Sequence, residues 1–209
     1  MRSAAGNRRE DMLTTLPNLL TLSRILVVPV LVGAFFLDRP YANWTTCALF
    51  TAASLTDYLD GYLARSWDQV TRFGRFLDPV ADKIMVAATL FMMVAWGTIS
   101  GLLVLPALII LCREILVSGL REFLAQINVG MPVSRLAKWK TALQMVAIAL
   151  LLLNDGAPAV LHATELGEAA LWIAAILTLM TGYDYLRAGL AHMTGPTAGG
   201  GTGVSGEKP

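Results

Sequence analysis

The sequence predicts an all-α integral membrane protein in which six transmembrane helices form a bundle. Of its 209 residues, 56% are hydrophobic and 15% are charged, whereas soluble domains carry about one quarter charged residues. The chain also contains six apolar stretches, each close in length to the roughly 20 residues that a membrane-spanning helix needs. This composition and the net charge of +1 argue against a water-soluble enzyme and against a basic nucleic-acid-binding protein.

The six predicted spans follow one another along the chain. They lie near Leu19–Leu37, Ala42–Leu63, Lys83–Ile99, Leu102–Leu124, Thr141–Asn154 with its flanks, and Ala169–Leu190. Basic residues precede the first span, as they do in a secretory signal, but its apolar part is too long and no small-residue cleavage site is evident. We therefore expect the first span to be retained.

Both ends of the chain differ from the six-helix domain, which is predicted over residues 18–192. Residues 1–17 form an N-terminal cytoplasmic or interfacial segment, within which Asn7–Pro17 is amphipathic and suited to lie flat on the membrane surface. Residues 193–209 form a glycine-rich tail with too few apolar residues to fold. This tail is predicted to be disordered.

The positions of the charges predict the orientation of the bundle. Of 16 Lys and Arg residues, only Arg39 falls in the loops or helix ends on the side opposite the two termini. That side carries the acidic residues Asp38, Asp155, Glu165 and Glu168. Because cytoplasmic loops are enriched in Lys and Arg, both termini and the loops 64–82 and 125–140 are predicted to be cytoplasmic.

Four aspartates lie where charge is costly, at the cytoplasmic ends of the second and third spans. Asp57 and Asp60 are three residues apart, and Asp78 and Asp82 are four apart, so each pair shares one helix face. Four clustered carboxylates repel one another in a low dielectric and need protons, ion partners or bridging cations. An all-oxygen set favours Mg²⁺, Mn²⁺ or Ca²⁺ over zinc. A single such aspartate is equally typical of a helix cap or an interfacial charge, but four together favour a ligand site.

The acidic residues belong to a longer pattern, Asp57-x2-Asp60-Gly61-x2-Ala64-Arg65-x8-Gly74-x3-Asp78-x3-Asp82. At every fixed position this pattern resembles the signature of the CDP-alcohol phosphotransferases, six-helix membrane enzymes that displace CMP from a CDP-linked donor. Other stretches are similar to the bacterial members that transfer a phosphatidyl group from CDP-diacylglycerol to glycerol 3-phosphate. These stretches are Pro17–Arg24, Thr71–Gly74, Arg113–Ile115, Gly119–Arg121 and Lys138–Thr141.

The resemblance implies roles for the residues of the signature. Asp57, Asp60 and Asp78 would hold two divalent ions, Mg²⁺ or Mn²⁺, and Asp82 would serve both as a metal ligand and as the general base. The donor site would be formed by Asn18, Gly61, Ala64, Arg65 and Gly74. The small residues among them are also typical of closely packed membrane helices, and both interpretations are compatible.

A phosphorylated acceptor would need cationic residues away from the metals. The candidates are Arg113, Arg121, Lys138 and Lys140. For the last three, extension of the side chain to anionic lipid headgroups is an equally good interpretation. Arg113 lies deeper in its span, where the neighbouring Glu114 and the more distant Glu122 offer structural ion pairs instead.

Three other functions are compatible with parts of the sequence. The same donor could serve another acceptor, such as inositol phosphate, serine or phosphatidylglycerol, because such enzymes share the whole signature. An intramembrane prenyltransferase also binds metal diphosphates through aspartates, but the six spans and the Gly61, Ala64, Arg65 set disfavour it. A cation transporter would place its acids near the midplane between repeats, whereas the aspartates of this chain lie at the cytoplasmic ends of their spans. We expect a protein of the bacterial cytoplasmic membrane, surrounded by lipid, and a homodimer.

Overall fold

The computed structural model describes residues 16–66, 72–126, 135–158 and 161–194, and within these ranges the chain is helical and contains no strand. The all-α prediction is therefore confirmed for the described residues. The helices are α1 (Leu16–Ala34), α2 (Tyr41–Ser66), α3 (Arg72–Ala95), α4 (Val104–Gln126), α5 (Arg135–Leu153) and α6 (Ala163–Thr194). Short 3₁₀ segments, Gly101–Leu103 and Asn154–Gly156, precede α4 and follow α5.

The six helices form a closed ring of neighbours. The closest packing partners give the order α1, α3, α4, α6, α5, α2 and back to α1. Side chains that point into the ring form one core, which includes Phe50, Met85, Ile110, Ile148 and Leu171. The α5–α6 contact is especially close, because a Cβ atom at Gly167 would come within 2.8 Å of the Leu151 side chain. Only glycine fits at that point of α6.

The outer surface of the ring is apolar, as expected where lipid replaces water. Large hydrophobic side chains such as Leu26, Phe91, Ile115 and Ile173 are exposed on the outside of the bundle. Contiguous exposed apolar surface of this kind marks a membrane-facing region. The described part of the chain is therefore built as a multi-pass membrane protein.

Length and apolar composition identify three membrane-crossing helices among the described residues rather than the six predicted. They are Gly101–Gln126, Leu136–Gly156 and Ala163–Arg187, and Thr21–Ala34 is a shorter apolar helix. The helices α2 and α3 are not among these three because they carry polar residues and the acidic signature.

At one end of the ring, the loops that were predicted to lie opposite the termini contact one another. The Trp96 ring packs edge-on against Phe36, with 4.7 Å between ring centroids, and the Asn43 side-chain amide donates a hydrogen bond of 2.9 Å to the Leu153 carbonyl. These contacts bring the loops after α1, α3 and α5 together. This arrangement is consistent with the prediction that these loops share one side of the bundle.

Several helix limits differ from the predicted spans. The third helix begins at Arg72, well before the predicted start at Lys83, so the acidic residues Asp78 and Asp82 lie inside it. Apolar content marks only the part of a helix that faces lipid, whereas the backbone remains helical through the charged turns. Residues 7–15 of the predicted surface segment and 195–209 of the predicted tail lie outside the described residues.

Candidate active site

The acidic signature is tied to the first helix by a buried ion pair. Arg24 of α1 donates a hydrogen bond from Nη1 to Oδ1 of Asp57 on α2. The Arg24 side chain is 1% exposed, whereas the Asp57 side chain is 39% exposed. Because the cation is fixed in the interior, the carboxylate is held in place at a partly exposed position.

The other residues of the signature take their places along the same two helices. Asp60, Gly61, Ala64 and Arg65 follow Asp57 on α2, and Gly74 and Asp78 precede Asp82 on α3. The helical backbone confirms that Asp60 lies one turn from Asp57, and that Asp78 lies one turn from Asp82. The side chains of Asn18, Asp60, Gly61, Ala64, Arg65, Gly74 and Asp78 lie outside the described residues.

Asp82 faces a cavity of about 270 Å³ between α3, α4 and α5. The polar residues of its lining are Asp82, Lys83, Glu114, Thr141 and Gln144. The rest of the lining is apolar: Ile84, Val86, Ala87, Leu111, Ile115 and Met145. The acidic signature on α3 and the polar residues of α4 and α5 therefore share one space.

Two of the predicted acceptor cations converge on a single carboxylate at the edge of this cavity. Glu114 Oε1 accepts hydrogen bonds from Lys140 Nζ of α5 and, at 3.2 Å, from Arg113 Nη1. The Lys140 side chain is 1% exposed and that of Glu114 is 21% exposed. One carboxylate oxygen thus partners two cations, so this group carries a net positive charge.

Helix α6 holds Arg113 from the other side. Arg113 Nη2 donates a 3.1 Å hydrogen bond to Thr181 Oγ1, and the guanidinium carbon lies 5.7 Å from the centre of the Tyr185 ring, within range of a cation–π contact. The side chain passes over Gly182, where an added Cβ would lie 3.2 Å from Arg113 Cγ. These contacts from one helical turn of α6 fix the direction of the guanidinium.

The remaining two predicted acceptor residues are placed differently. Arg121 and Lys138 are exposed on α4 and α5, and the structure does not bring them into the Glu114 group. The exposed positions fit the alternative interpretation, contact with anionic headgroups, as well as an acceptor role. Their role stays a prediction.

Sequence reasoning gave no role to Arg24, Gln144, Thr181 or Tyr185. A signal for Arg24 was present, because an arginine in the middle of an apolar span is costly and marks a functional site by default. The other three are polar residues on apolar helices without a charge, and no local pattern distinguishes them from packing residues. Only the ring order of the helices places them near the charged groups.

The chemistry of the site fits a divalent metal. Carboxylates on α2 and α3 supply hard oxygen ligands, which Mg²⁺ and Mn²⁺ prefer. The Asp57 side chain is 39% exposed although Arg24 binds one of its oxygens. Within the residues that the structure describes, no three His, Cys, Asp or Glu side chains form a metal-binding group.

A helical membrane bundle with carboxylates on two helix ends and buried cations beside them is the arrangement expected of an integral membrane enzyme that acts on phosphorylated substrates. The chain belongs to the CDP-alcohol phosphatidyltransferase family, which matches residues 14–180. This match includes every residue of the acidic signature and the Arg113, Glu114 and Lys140 group.

Individual relatives extend this result. The chain is 46% identical over 173 residues to a CDP-diacylglycerol–glycerol-3-phosphate 3-phosphatidyltransferase of Rickettsia felis, covering 83% of this chain and 94% of the relative. It is 41% identical over 214 residues to an enzyme of the same name from Cereibacter sphaeroides, covering 86% and 97%. It is also 40% identical over 188 residues to a cardiolipin synthase (CMP-forming) of Oryza sativa, covering 84% of this chain and 57% of that protein.

Proposed function

We propose that the protein transfers the phosphatidyl group of CDP-diacylglycerol to glycerol 3-phosphate, giving phosphatidylglycerophosphate and CMP. The observation that carries this proposal is the pairing of two cations, the buried Lys140 and the largely buried Arg113, with Glu114, which lines the same cavity as Asp82. A small phosphorylated acceptor needs such cations. The names of the bacterial relatives support the same donor and acceptor.

The donor would bind at the cytoplasmic ends of α2 and α3. Asp57, Asp60, Asp78 and Asp82 would hold two divalent ions, Mg²⁺ or Mn²⁺. Bound there, the ions would neutralise the diphosphate and stabilise the negative charge of the transition state. Asn18, Gly61, Ala64, Arg65 and Gly74 would contact the cytidine diphosphate, and an arginine can supply a forked pair of donors to a phosphate.

Asp82 is proposed as the general base. A hydroxyl oxygen of the acceptor attacks the phosphorus that carries diacylglycerol, a new P–O bond forms, and the P–O bond to CMP breaks. The proton of the attacking hydroxyl passes to the Asp82 carboxylate, which must lie within hydrogen-bond reach of it. The half-buried position of Asp82 in the wall of the cavity suits this role.

Arg113 and Lys140 are proposed to bind the acceptor phosphate. Arg113 is oriented by Thr181 and Tyr185, and a guanidinium fixed in this way loses little freedom when it binds an anion. Glu114 keeps the two cations together before the acceptor arrives. Arg121 and Lys138 are proposed to contribute longer-range attraction from their exposed positions.

The ring of neighbouring helices supports a proposal for the membrane arrangement. We propose that all six helices cross the bacterial cytoplasmic membrane, with both termini and the acidic signature on the cytoplasmic side, because basic residues concentrate there. Labelling of single cysteines placed at exposed loop positions in intact cells tests this orientation. The homodimer stays a prediction, tested by the mass of the purified protein in detergent.

The reaction is tested with purified protein, CDP-diacylglycerol and Mg²⁺ by following CMP release with a panel of acceptors. We expect release with glycerol 3-phosphate and little with glycerol, serine, inositol phosphate or phosphatidylglycerol. A chelator should abolish turnover, and Mg²⁺ or Mn²⁺ should restore it. Equal rates with glycerol and glycerol 3-phosphate would contradict the acceptor, and turnover in excess chelator would contradict the metal assignment.

A further inference from the structure

Gln144 brings a buried polar atom without a described hydrogen-bond partner to the wall of the cavity. It is 2% exposed, and its Oε1 atom has no hydrogen-bond partner among the described residues. A buried polar atom without a partner is destabilising, so a ligand group that bonded to Gln144 Oε1 would remove an unfavourable contribution. The side chain lines the same cavity as Asp82 and Glu114.

The position of Gln144 along α5 relates it to the acceptor cations. It lies one helical turn beyond Lys140, the residue that pairs with Glu114. Thr141, between them in the cavity wall, already donates its hydroxyl proton to the Ala137 carbonyl at 3.0 Å. Gln144 is therefore the uncharged group of α5 in this wall whose side chain can both accept and donate a hydrogen bond to a ligand, because the Thr141 hydroxyl has already used its proton.

The size of the cavity limits what it can hold. A volume of about 270 Å³ is just below the roughly 300–1,000 Å³ of pockets for drug-sized ligands. It suits a small polyol phosphate better than a CDP-linked lipid. The acceptor proposed above has a phosphate, an attacking hydroxyl and one further hydroxyl that does not react.

We propose that Gln144 determines acceptor specificity by hydrogen bonding to the non-reacting hydroxyl of the polyol phosphate. This inference rests on the proposed function. The phosphate would bind at Arg113 and Lys140, the partners of Glu114, and the attacking hydroxyl at Asp82; Glu114, Asp82 and Gln144 line one cavity, so Gln144 is within the space that the acceptor would occupy. The Gln144 Oε1 atom, which has no hydrogen-bond partner among the described residues, then accepts a hydrogen bond from that hydroxyl.

The experiment compares two acceptors, glycerol 3-phosphate and propane-1,3-diol monophosphate, which lacks the non-reacting hydroxyl. A site built to bond a hydroxyl rejects an analogue without it, because its own polar group stays unpaired. For the wild-type protein we expect kcat/KM to be about ten- to a hundredfold higher for glycerol 3-phosphate. In Gln144→Met, which keeps the length of the side chain, this ratio should fall to within about threefold of one.

A thermal readout separates a binding role from a structural one. Since Gln144 Oε1 has no partner among the described residues, Gln144→Met should unfold at the wild-type temperature or above it. Thr178→Val is the matched control: Thr178 is fully buried on α6, its hydroxyl oxygen also lacks a described partner, and it does not line the cavity. Its acceptor ratio should equal that of the wild type.

Four results would overturn the inference. The first is an unchanged ratio of kcat/KM between the two acceptors in Gln144→Met, and the second is an equal fall of that ratio in Thr178→Val. The third is a raised KM of Gln144→Met for CDP-diacylglycerol with the acceptor ratio intact. The fourth is an unfolding temperature of Gln144→Met well below that of the wild type. The third would assign the cavity to the donor. Failure of the proposed function is distinct, because the wild-type protein would then release no CMP with glycerol 3-phosphate.

Discussion

The two ends of the helical ring use charge in opposite ways. At the end with the acidic signature, Arg24 and Lys140 are each 1% exposed and their carboxylate partners are more open. At the other end, Arg39 and Asp155 are 51% and 79% exposed and lie 3.7 Å apart. An exposed pair of that kind contributes roughly 0–1 kcal/mol to stability, whereas a buried cation is costly unless it is paired. Burial of the cations therefore distinguishes the functional end from the structural one.

The largest expected effect comes from Asp82→Asn. General-base catalysis contributes about 10²- to 10⁴-fold to a rate, so kcat should fall by that factor while binding of CDP-diacylglycerol is largely kept. Steady-state rates and donor binding would be measured on the same preparation. The control is Asp155→Asn, the same change at the opposite end, which should leave kcat unchanged.

If Asp82→Asn retained near wild-type kcat, the base would lie elsewhere. If Asp155→Asn lowered kcat to the same degree, the contrast between the two ends would be wrong. Loss of donor binding in Asp82→Asn would assign the residue to metal and donor binding alone.

The second prediction concerns Arg113→Ala. The change removes a charge-assisted contact worth about 1.5–3 kcal/mol, so the KM for glycerol 3-phosphate should rise about ten- to a hundredfold with the donor KM little changed. Arg113→Lys should restore the contact only in part, because an ammonium lacks the planar fork. Wild-type acceptor KM in Arg113→Ala would exclude the proposed phosphate site.

These residues also show what the sequence could reveal. The spacing of Asp57 and Asp60, and of Asp78 and Asp82, is local, so a helical pattern was enough to place each pair on one face. Arg24 and Asp57 are 33 residues apart, and Arg113 and Thr181 are 68 apart. Such pairs depend on which helices are neighbours in the ring, and apolar periodicity does not encode that order.

The ends of the helices show the same limit of prediction from the sequence. The predicted third span began at Lys83 because apolar content rises there, yet the helix begins at Arg72. Charge at a helix end alters hydropathy without ending the helix. The convergence of Arg113 and Lys140 on Glu114 was likewise open in the sequence, where Glu114 was only one of several possible ion partners.

The third prediction compares the buried arginine with the exposed one. Arg24→Met removes the cation that fixes Asp57, and breaking a fully buried pair costs about 3–5 kcal/mol; because the Asp57 side chain is 39% exposed, we expect about 1–3 kcal/mol. The unfolding temperature in detergent and the Mg²⁺ concentration for half-maximal activity would be measured. The unfolding temperature should fall, and the Mg²⁺ concentration should rise. Arg39→Met should change neither, and equal effects of the two substitutions would remove the distinction between the ends.

The smallest effect is expected from Thr181→Val, which tests whether α6 orients Arg113. The Thr181 hydroxyl donates to the Leu177 carbonyl at 2.8 Å, so its oxygen is left to accept from the guanidinium at 3.1 Å. Loss of one such hydrogen bond costs about 0.5–1.5 kcal/mol, which predicts a three- to tenfold rise in acceptor KM with kcat and donor KM unchanged. Thr178→Val, one turn away and equally buried, should leave the acceptor KM unchanged. A matching rise in both variants would show that packing of α6, rather than the bond to Arg113, controls the acceptor site.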